Sequence, residues 1–151
     1  MFRIKAITLW GPWAQLIPLD IKHYETRSWA TKYRGPLAIH AAKKLVPIKE
    51  SFGLLTTEHI YIREQLRLSR YREYPVLPTG AIVATCNLID CIEIAASFIL
   101  ELSPIEKACG NYTLGRYAWI LEDVSPLASP VPATGKQGLW NWEMPEGVLL
   151  P

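Results

Sequence analysis

Apolar and polar positions alternate in short runs separated by proline and glycine, a pattern of brief strands with helical inserts. Lys5-Ala-Ile-Thr-Leu9 reads as a first strand, and Trp10-Gly-Pro-Trp13 turns out of it. Pro12 suits the first position of a helix running to about Pro18, with Trp13, Leu16 and Ile17 on its buried side. A short strand centred on Glu25–Trp29 follows, then a turn at Arg34-Gly-Pro36 and a buried strand from Pro36 to Ala41. From about Pro47 to Tyr71 the spacing is helical, in two pieces broken near Gly53. Ile48, Phe52 and Leu55 share a face of the first piece, and Thr57 caps the second. Pro75 and Pro78-Thr-Gly80 end the region.

Ala81 to Ile94 reads as one long strand, apolar on both faces in its first half, as suits a small barrel with helices outside. Asn87 and Asp90 interrupt it and, if buried, need hydrogen-bond partners, with backbone the safer assignment than a substrate. Ser103-Pro-Ile-Glu106 is a capping box with proline at the first helical position, and Gly110 stops that helix. Asn111 to Leu121 follows as loop and strand, with Arg116 and Ala118 on one face and Tyr117 and Trp119 on the other. Trp140 and Trp142 lie two apart in an extended closing segment and cover one side of the barrel as packing. The expectation is a single α+β domain over residues 1–151, a small β-barrel flanked by short helices.

Composition narrows the class. The 151 residues are 50% hydrophobic and 20% charged, enough for one real core and unlike a disordered chain. Its prolines and glycines form no low-complexity block, so no linker divides the chain, and no internal repeat is present. No apolar run approaches the roughly 20 residues that span a membrane. The N-terminal Met-Phe-Arg-Ile-Lys-Ala-Ile lacks a signal-peptide core, so a cytoplasmic protein is expected. A formal charge of +2 is too weak for a protein that coats duplex nucleic acid, yet compatible with a small pocket holding a few cations. Cys86, Cys91 and Cys109 are odd in number and fit no zinc spacing, so buried free thiols are expected. His23, His40 and His59 form no metal-ligand pair; neither metal nor cofactor is expected. There is no Gly-rich phosphate loop and no Gly-x-Ser-x-Gly elbow.

Candidate chemistry concentrates in residues 19–40. On a strand, Glu25, Arg27 and Trp29 share one face, and Lys22 sits in the turn leading in. An acceptor, a forked donor, a flat aromatic and a cation suit a nucleobase, with phosphate for the cations. Trp10 and Trp13 lie close in sequence and suit either a pocket floor or core packing. The plain alternative stands beside this: Glu25 and Arg27 pair with each other, Trp29 is core, and Lys22 is a solvated turn residue. His40 is read as a core or rim histidine, because no placed partner makes it a base. Arg63, Arg67 and Arg70 form a basic stripe that Glu64 and Glu73 dilute; a solvated face is preferred over a phosphate track.

The motifs, taken in order, resemble the ASCH domain, a member of the PUA-like superfamily. The carriers are Leu9-Trp10-Gly-Pro-Trp13, then Lys22-His-Tyr-Glu25-Thr-Arg27, which matches the family's Lys-x-x-Glu-x-Arg. Tyr33-Arg-Gly-Pro-Leu-Ala-Ile-His-Ala41, Gly110-Asn-Tyr-Thr-Leu-Gly-Arg116-Tyr-Ala-Trp119 and Lys136-Gln-Gly-Leu-Trp140 complete the series. The helices of residues 47–78 carry no such signature and read as an elaboration. The resemblance implies a small barrel with a cleft beside the Lys-x-x-Glu-x-Arg segment, binding RNA or a modified nucleoside. It implies a ligand set of Trp10, Trp13, Lys22, Glu25, Arg27 and Trp29, with Tyr112 and Arg116 completing the rim.

One branch of the family removes acyl groups from acylated cytidine with a threonine nucleophile. Here Glu25 occupies that threonine position, and Thr26 points to the opposite face. If the chain is an enzyme, a metal-independent hydrolase acting on an acylated nucleoside or single-stranded RNA, Lys22 and Glu25 are its acid–base pair.

Overall fold

A computed structural model describes residues 2–45, 57–71 and 77–148. Six strands form one sheet: β1 (Phe2–Gly11), β2 (Tyr24–Arg27), β3 (Gly35–Leu45), β4 (Ala81–Glu93), β5 (Tyr117–Pro132) and β6 (Trp140–Met144). Their spatial order is β2-β5-β4-β3-β1-β6, with β1 and β3 parallel and every other pair antiparallel. The parallel pair requires a crossover. Residues 12–34 supply it, and they carry α1 (Trp13–Leu16), β2 and the candidate site. The sheet curls into a half-barrel, matching the expected α+β barrel with a few short helices.

Strand alternation is legible where one face is wet. In β6, Trp140, Trp142 and Met144 are buried while Asn141 and Glu143 are exposed. The two tryptophans pack on Ile4, Ala6 and Ile82, closing that end of the sheet. The first six residues of β4 are all buried, as expected of a strand covered on both sides. The main core lies inside the curl, where Ile7, Leu9, Leu37, Ile39, Val83 and Trp119 meet. Asn87 and Asp90 find partners without a ligand. Asn87 donates to Asp123 Oδ2 (3.1 Å), and Asp90 accepts from the Cys91 amide (2.8 Å). β5 runs on past Leu121 through three prolines. Asp123, with φ of 53°, sits among shifts in the β4–β5 register that let so long a strand bend.

The remaining helices are α2 (Thr57–Leu68), α3 (Ala96–Glu101) and α4 (Pro104–Ala108). Ile62 and Leu66 of α2 join Leu16 and Cys109 in a second core. The first helical piece, with Ile48, Phe52 and Leu55, lies outside the described residues, as do Gly53, Glu73 and Pro75. α1 is shorter than the sequence suggests. The amides of Ile21 and Lys22 both turn back to the Leu16 carbonyl (3.1 Å each), and Asp20 adopts φ of 61°, so the chain reverses instead of continuing helically. Arg63 and Arg67 are exposed; Arg67 pairs with Glu64 (3.6 Å), while Arg70, beyond the helix, donates to the Leu127 carbonyl (3.0 Å).

Candidate functional site

β2 is an edge strand and β6 pairs only with Phe2–Ala6 of β1, so the far half of β1 faces β2 across a gap. That gap is a cleft of about 470 Å³, within the range of small-molecule sites. Its walls are Thr8 to Trp10, Trp13, Lys22, Glu25 to Arg27, the segment 108–111 and Arg116.

β2 places the acid. Glu25 lies opposite Trp119 in the β2–β5 register, so its side chain shares the inner face and is only 7% exposed. Oε1 accepts from the Thr26 amide (3.1 Å), with Lys22 Nζ at 3.5 Å. Oε2 accepts from Arg27 Nε (3.0 Å) and is ion-paired with Nη2 (2.9 Å). Two hydrogen bonds and two ion-pair contacts surround the carboxylate, which offers about four acceptor positions. Glu25 is therefore committed to its own neighbours, and the Glu25–Arg27 pairing weighed from sequence does form.

Lys22 is not a solvated turn residue. The reversal after α1 drives it inward to 2% exposure, where Nζ donates to the Cys109 carbonyl (2.8 Å) beside Glu25. An ammonium has three donors, so one remains unspent. Arg27 also donates Nη2 to the Thr8 carbonyl (2.9 Å), bridging the gap between β2 and β1. Arg116 donates Nε to the Asn111 carbonyl (3.2 Å) and Nη2 to the Thr26 carbonyl (3.3 Å). Neither Nη1 has a partner among the described residues. The cleft thus presents three anchored cations with spare N–H groups around one neutralised acid.

Segment 108–111 forms the opposite wall because it lies hard against β2. Thr26 Oγ1 accepts from the Asn111 amide (3.1 Å), and a Cβ on Gly110 would stand 3.2 Å from that hydroxyl and 3.1 Å from the Tyr112 ring. Only glycine passes there without displacing a neighbour. Burial pushes the Cys109 thiol up to about 12 despite the Lys22 charge beside it, so it stays protonated and this residue offers the cleft its carbonyl.

Of the expected residues, Trp10, Trp13, Lys22, Glu25, Arg27 and Arg116 line the cleft together. Trp29 and Tyr112 do not. β2 ends at Arg27, and Trp29 beyond it sets its ring edge-on to Trp119, centroids 4.9 Å apart. Tyr112 is buried against Ile94 and Ala118 and donates to Glu106 Oε2 (3.3 Å); burial first, and then Glu106, raise its pKa. His40 is buried between the Thr8 hydroxyl (3.2 Å) and the Ala133 carbonyl (2.7 Å). Burial lowers its pKa, against the pull of that carbonyl. Among the described residues no cluster of His, Cys, Asp or Glu is arranged to hold a metal, and no helix is long and apolar enough to cross a membrane.

Thr8, Thr26, Cys109 and Asn111 escaped the sequence reading, since most contribute a backbone group. So did Glu106. Ser103 caps α4 by accepting from the Glu106 amide (3.1 Å), as the capping box predicts, but the Glu106 carboxylate does not fold back. It accepts from the His23 amide (3.0 Å) and meets His23 Nδ1 (2.7 Å), while Asp20 holds Nε2 (2.8 Å).

The ASCH domain family model matches residues 7–130, most of the chain and every wall of the cleft. The chain belongs to the ASCH domain family. This ASCH domain is similar to activating signal cointegrator 1 of Mus musculus, at 32% identity over 136 residues, covering 89% of this chain and 22% of the relative. It is also similar to activating signal cointegrator 1 of Homo sapiens, at 34% identity over 131 residues, covering 86% and 21%. The chain thus spans about a fifth of the length of these curated relatives. A crystal structure of a point mutant of the Zymomonas mobilis ASCH protein aligns with a TM-score of 0.46 and 15% identity, covering 85% of this chain and 74% of that one.

Proposed function

We propose that this ASCH domain is a binding module whose cleft takes a base of single-stranded RNA or a modified nucleobase. One observation carries the reading: a buried, paired acid, Glu25, holds cations whose spare donors border a concave space flanked by Trp10 and Trp13. Such a site favours acceptor-rich groups, base carbonyls and phosphate oxygens, with an indole for stacking. Glu25 acts chiefly by orienting Lys22 and Arg27. The family resemblance, with its implied RNA or nucleoside ligand, supports the same reading.

The test is equilibrium binding of unmodified and acylated cytidines and of short single-stranded RNAs to the wild type and to Arg116→Gln. Losing a paired set of charged donors should weaken binding about tenfold or more, the 1–3 kcal/mol of a good bidentate contact. Absence of saturable binding by the folded wild type overturns the reading. Hydrolysis with Lys22 and Glu25 as acid–base pair would require Glu25 to act as a base while ion-paired with Lys22 and Arg27. Product formation that disappears in Glu25→Gln would establish that alternative.

A further inference from the structure

A second groove of about 740 Å³ adjoins the cleft, and Thr8, Trp10 and Arg27 border both. Its floor and far wall include Trp29, His40, Lys43 and Lys136. From these features we infer that the second groove carries the next nucleotide and phosphates of a single RNA strand, so that the domain reads a strand and not an isolated nucleoside. The inference rests on the nucleobase reading of the first cleft.

Charge is the first argument. Lys22, Arg27, Arg116, Lys43 and Lys136 line the two depressions against the single acid Glu25, whereas the whole chain carries only +2. Positive charge is concentrated along this track, where concave walls focus the field.

Ridge chemistry is the second. Arg27 is fixed by Glu25 and by the Thr8 carbonyl, and its Nη1 has no partner among the described residues. A guanidinium held on one edge and open on the other, between two pockets, suits a phosphodiester joining their occupants. Aromatics flank it on both sides. Trp10 is 50% exposed, with Lys44 Nζ 4.9 Å from its ring centroid, and Trp29 is 37% exposed and fixed by its edge contact with Trp119. Exposed indoles interleaved with cations are the usual platform for unpaired bases.

The far wall is preformed. His40 Nε2 meets the Ala133 carbonyl (2.7 Å), and the Thr8 hydroxyl lies 3.4 Å from the Lys136 carbonyl. A Cβ on Gly135 would come within 2.6 Å of the His40 ring, so segment 133–136 is seated directly on the sheet. Each depression falls within the roughly 300–1,000 Å³ of small-molecule sites, room for successive nucleotides.

The test compares a cytidine mononucleotide, a single-stranded tetranucleotide and an RNA duplex on the full chain. Variants are Lys43→Ala/Lys136→Ala, both exposed positions, and Arg116→Gln in the first cleft. The double lysine variant should bind the tetranucleotide about tenfold more weakly and flatten its salt dependence by about one unit of slope per lysine, with mononucleotide affinity unchanged. Undiminished tetranucleotide binding in the double variant, with loss in Arg116→Gln, would overturn the strand track and leave the first cleft intact. A preference for duplex would overturn it as well. No binding of any ligand by the wild type would remove the first-cleft reading and this inference together.

Discussion

Lys22 and His23 are consecutive cationic side chains that do the same job in opposite directions. Lys22 turns into the barrel, meets Glu25 and reaches the Cys109 carbonyl; His23 turns out, meets Glu106 and is held from the far side by Asp20. Both tie the reversal after α1 to the segment from α4 to Gly110, and so both set the width of the cleft. They differ in permanence. The Lys22 clamp is almost fully buried, whereas about half of the His23 side chain is in water. Burial alone would lower the pKa of His23, but Glu106 and then Asp20 outweigh it and raise the value above 6.5. One clamp is buried, and the other is half in water and conditional on pH.

Removing the acid of the buried clamp is expected to cost most. Glu25→Ala leaves the Lys22 charge enclosed with only the Cys109 carbonyl for company and frees Arg27 from its main anchor. Breaking a buried pair in this way costs about 3–5 kcal/mol, to be read from urea denaturation. A loss below about 1 kcal/mol would show that Lys22 reaches water in the native state, and the contrast with His23 would collapse.

The conditional clamp should declare itself through pH. A histidine whose folded pKa is raised stabilises the fold fully below 6.5 and loses that contribution as pH rises through the raised value. Burial lowers the pKa values of His40 and His59, so their contributions run the other way, complete above 6.5 and lost on acidification. A bare stability curve would mix the two. The difference between wild type and His23→Gln isolates one. That difference should be largest below pH 6.5 and should shrink as pH rises through the raised value. A His23→Gln difference independent of pH would make His23 a neutral hydrogen-bond donor.

The two clamps also mark what could be read from sequence. Lys22, Glu25 and Arg27 were legible as one patch because strand periodicity and the Lys-x-x-Glu-x-Arg spacing are local, whereas Arg116 came only with the family resemblance. The two-sided burial of β4 and the shared face of Trp140 and Trp142 in β6 were legible because they too are local. The burial of Lys22 was not. It depends on a carbonyl 87 residues away, and carbonyls carry no signature. Glu106 was legible only as a helix cap, because its carboxylate is committed to a histidine 83 residues distant. Tyr112 was drawn to the rim by its place in the motif, whereas the same Glu106 pulls its hydroxyl to the other side of the wall. Trp29 was placed with Glu25 and Arg27 by extending the strand two residues beyond where it ends.

Asp20→Asn is the finest cut. Asp20 holds His23 Nε2 from the solvent side and its own side chain is 89% exposed. Asparagine tolerates the left-handed backbone at this position as aspartate does, so the reversal after α1 keeps its shape. An exposed pair contributes little to stability, so denaturation should shift by less than about 0.5 kcal/mol. The charge still acts on its neighbour: the His23 pKa, followed by NMR, should fall part of the way back, with Glu106 supplying what remains. If the full elevation survives, Glu106 alone sets the pH response. The conditional clamp is then built on one buried acid, just as the Lys22 clamp is built on Glu25.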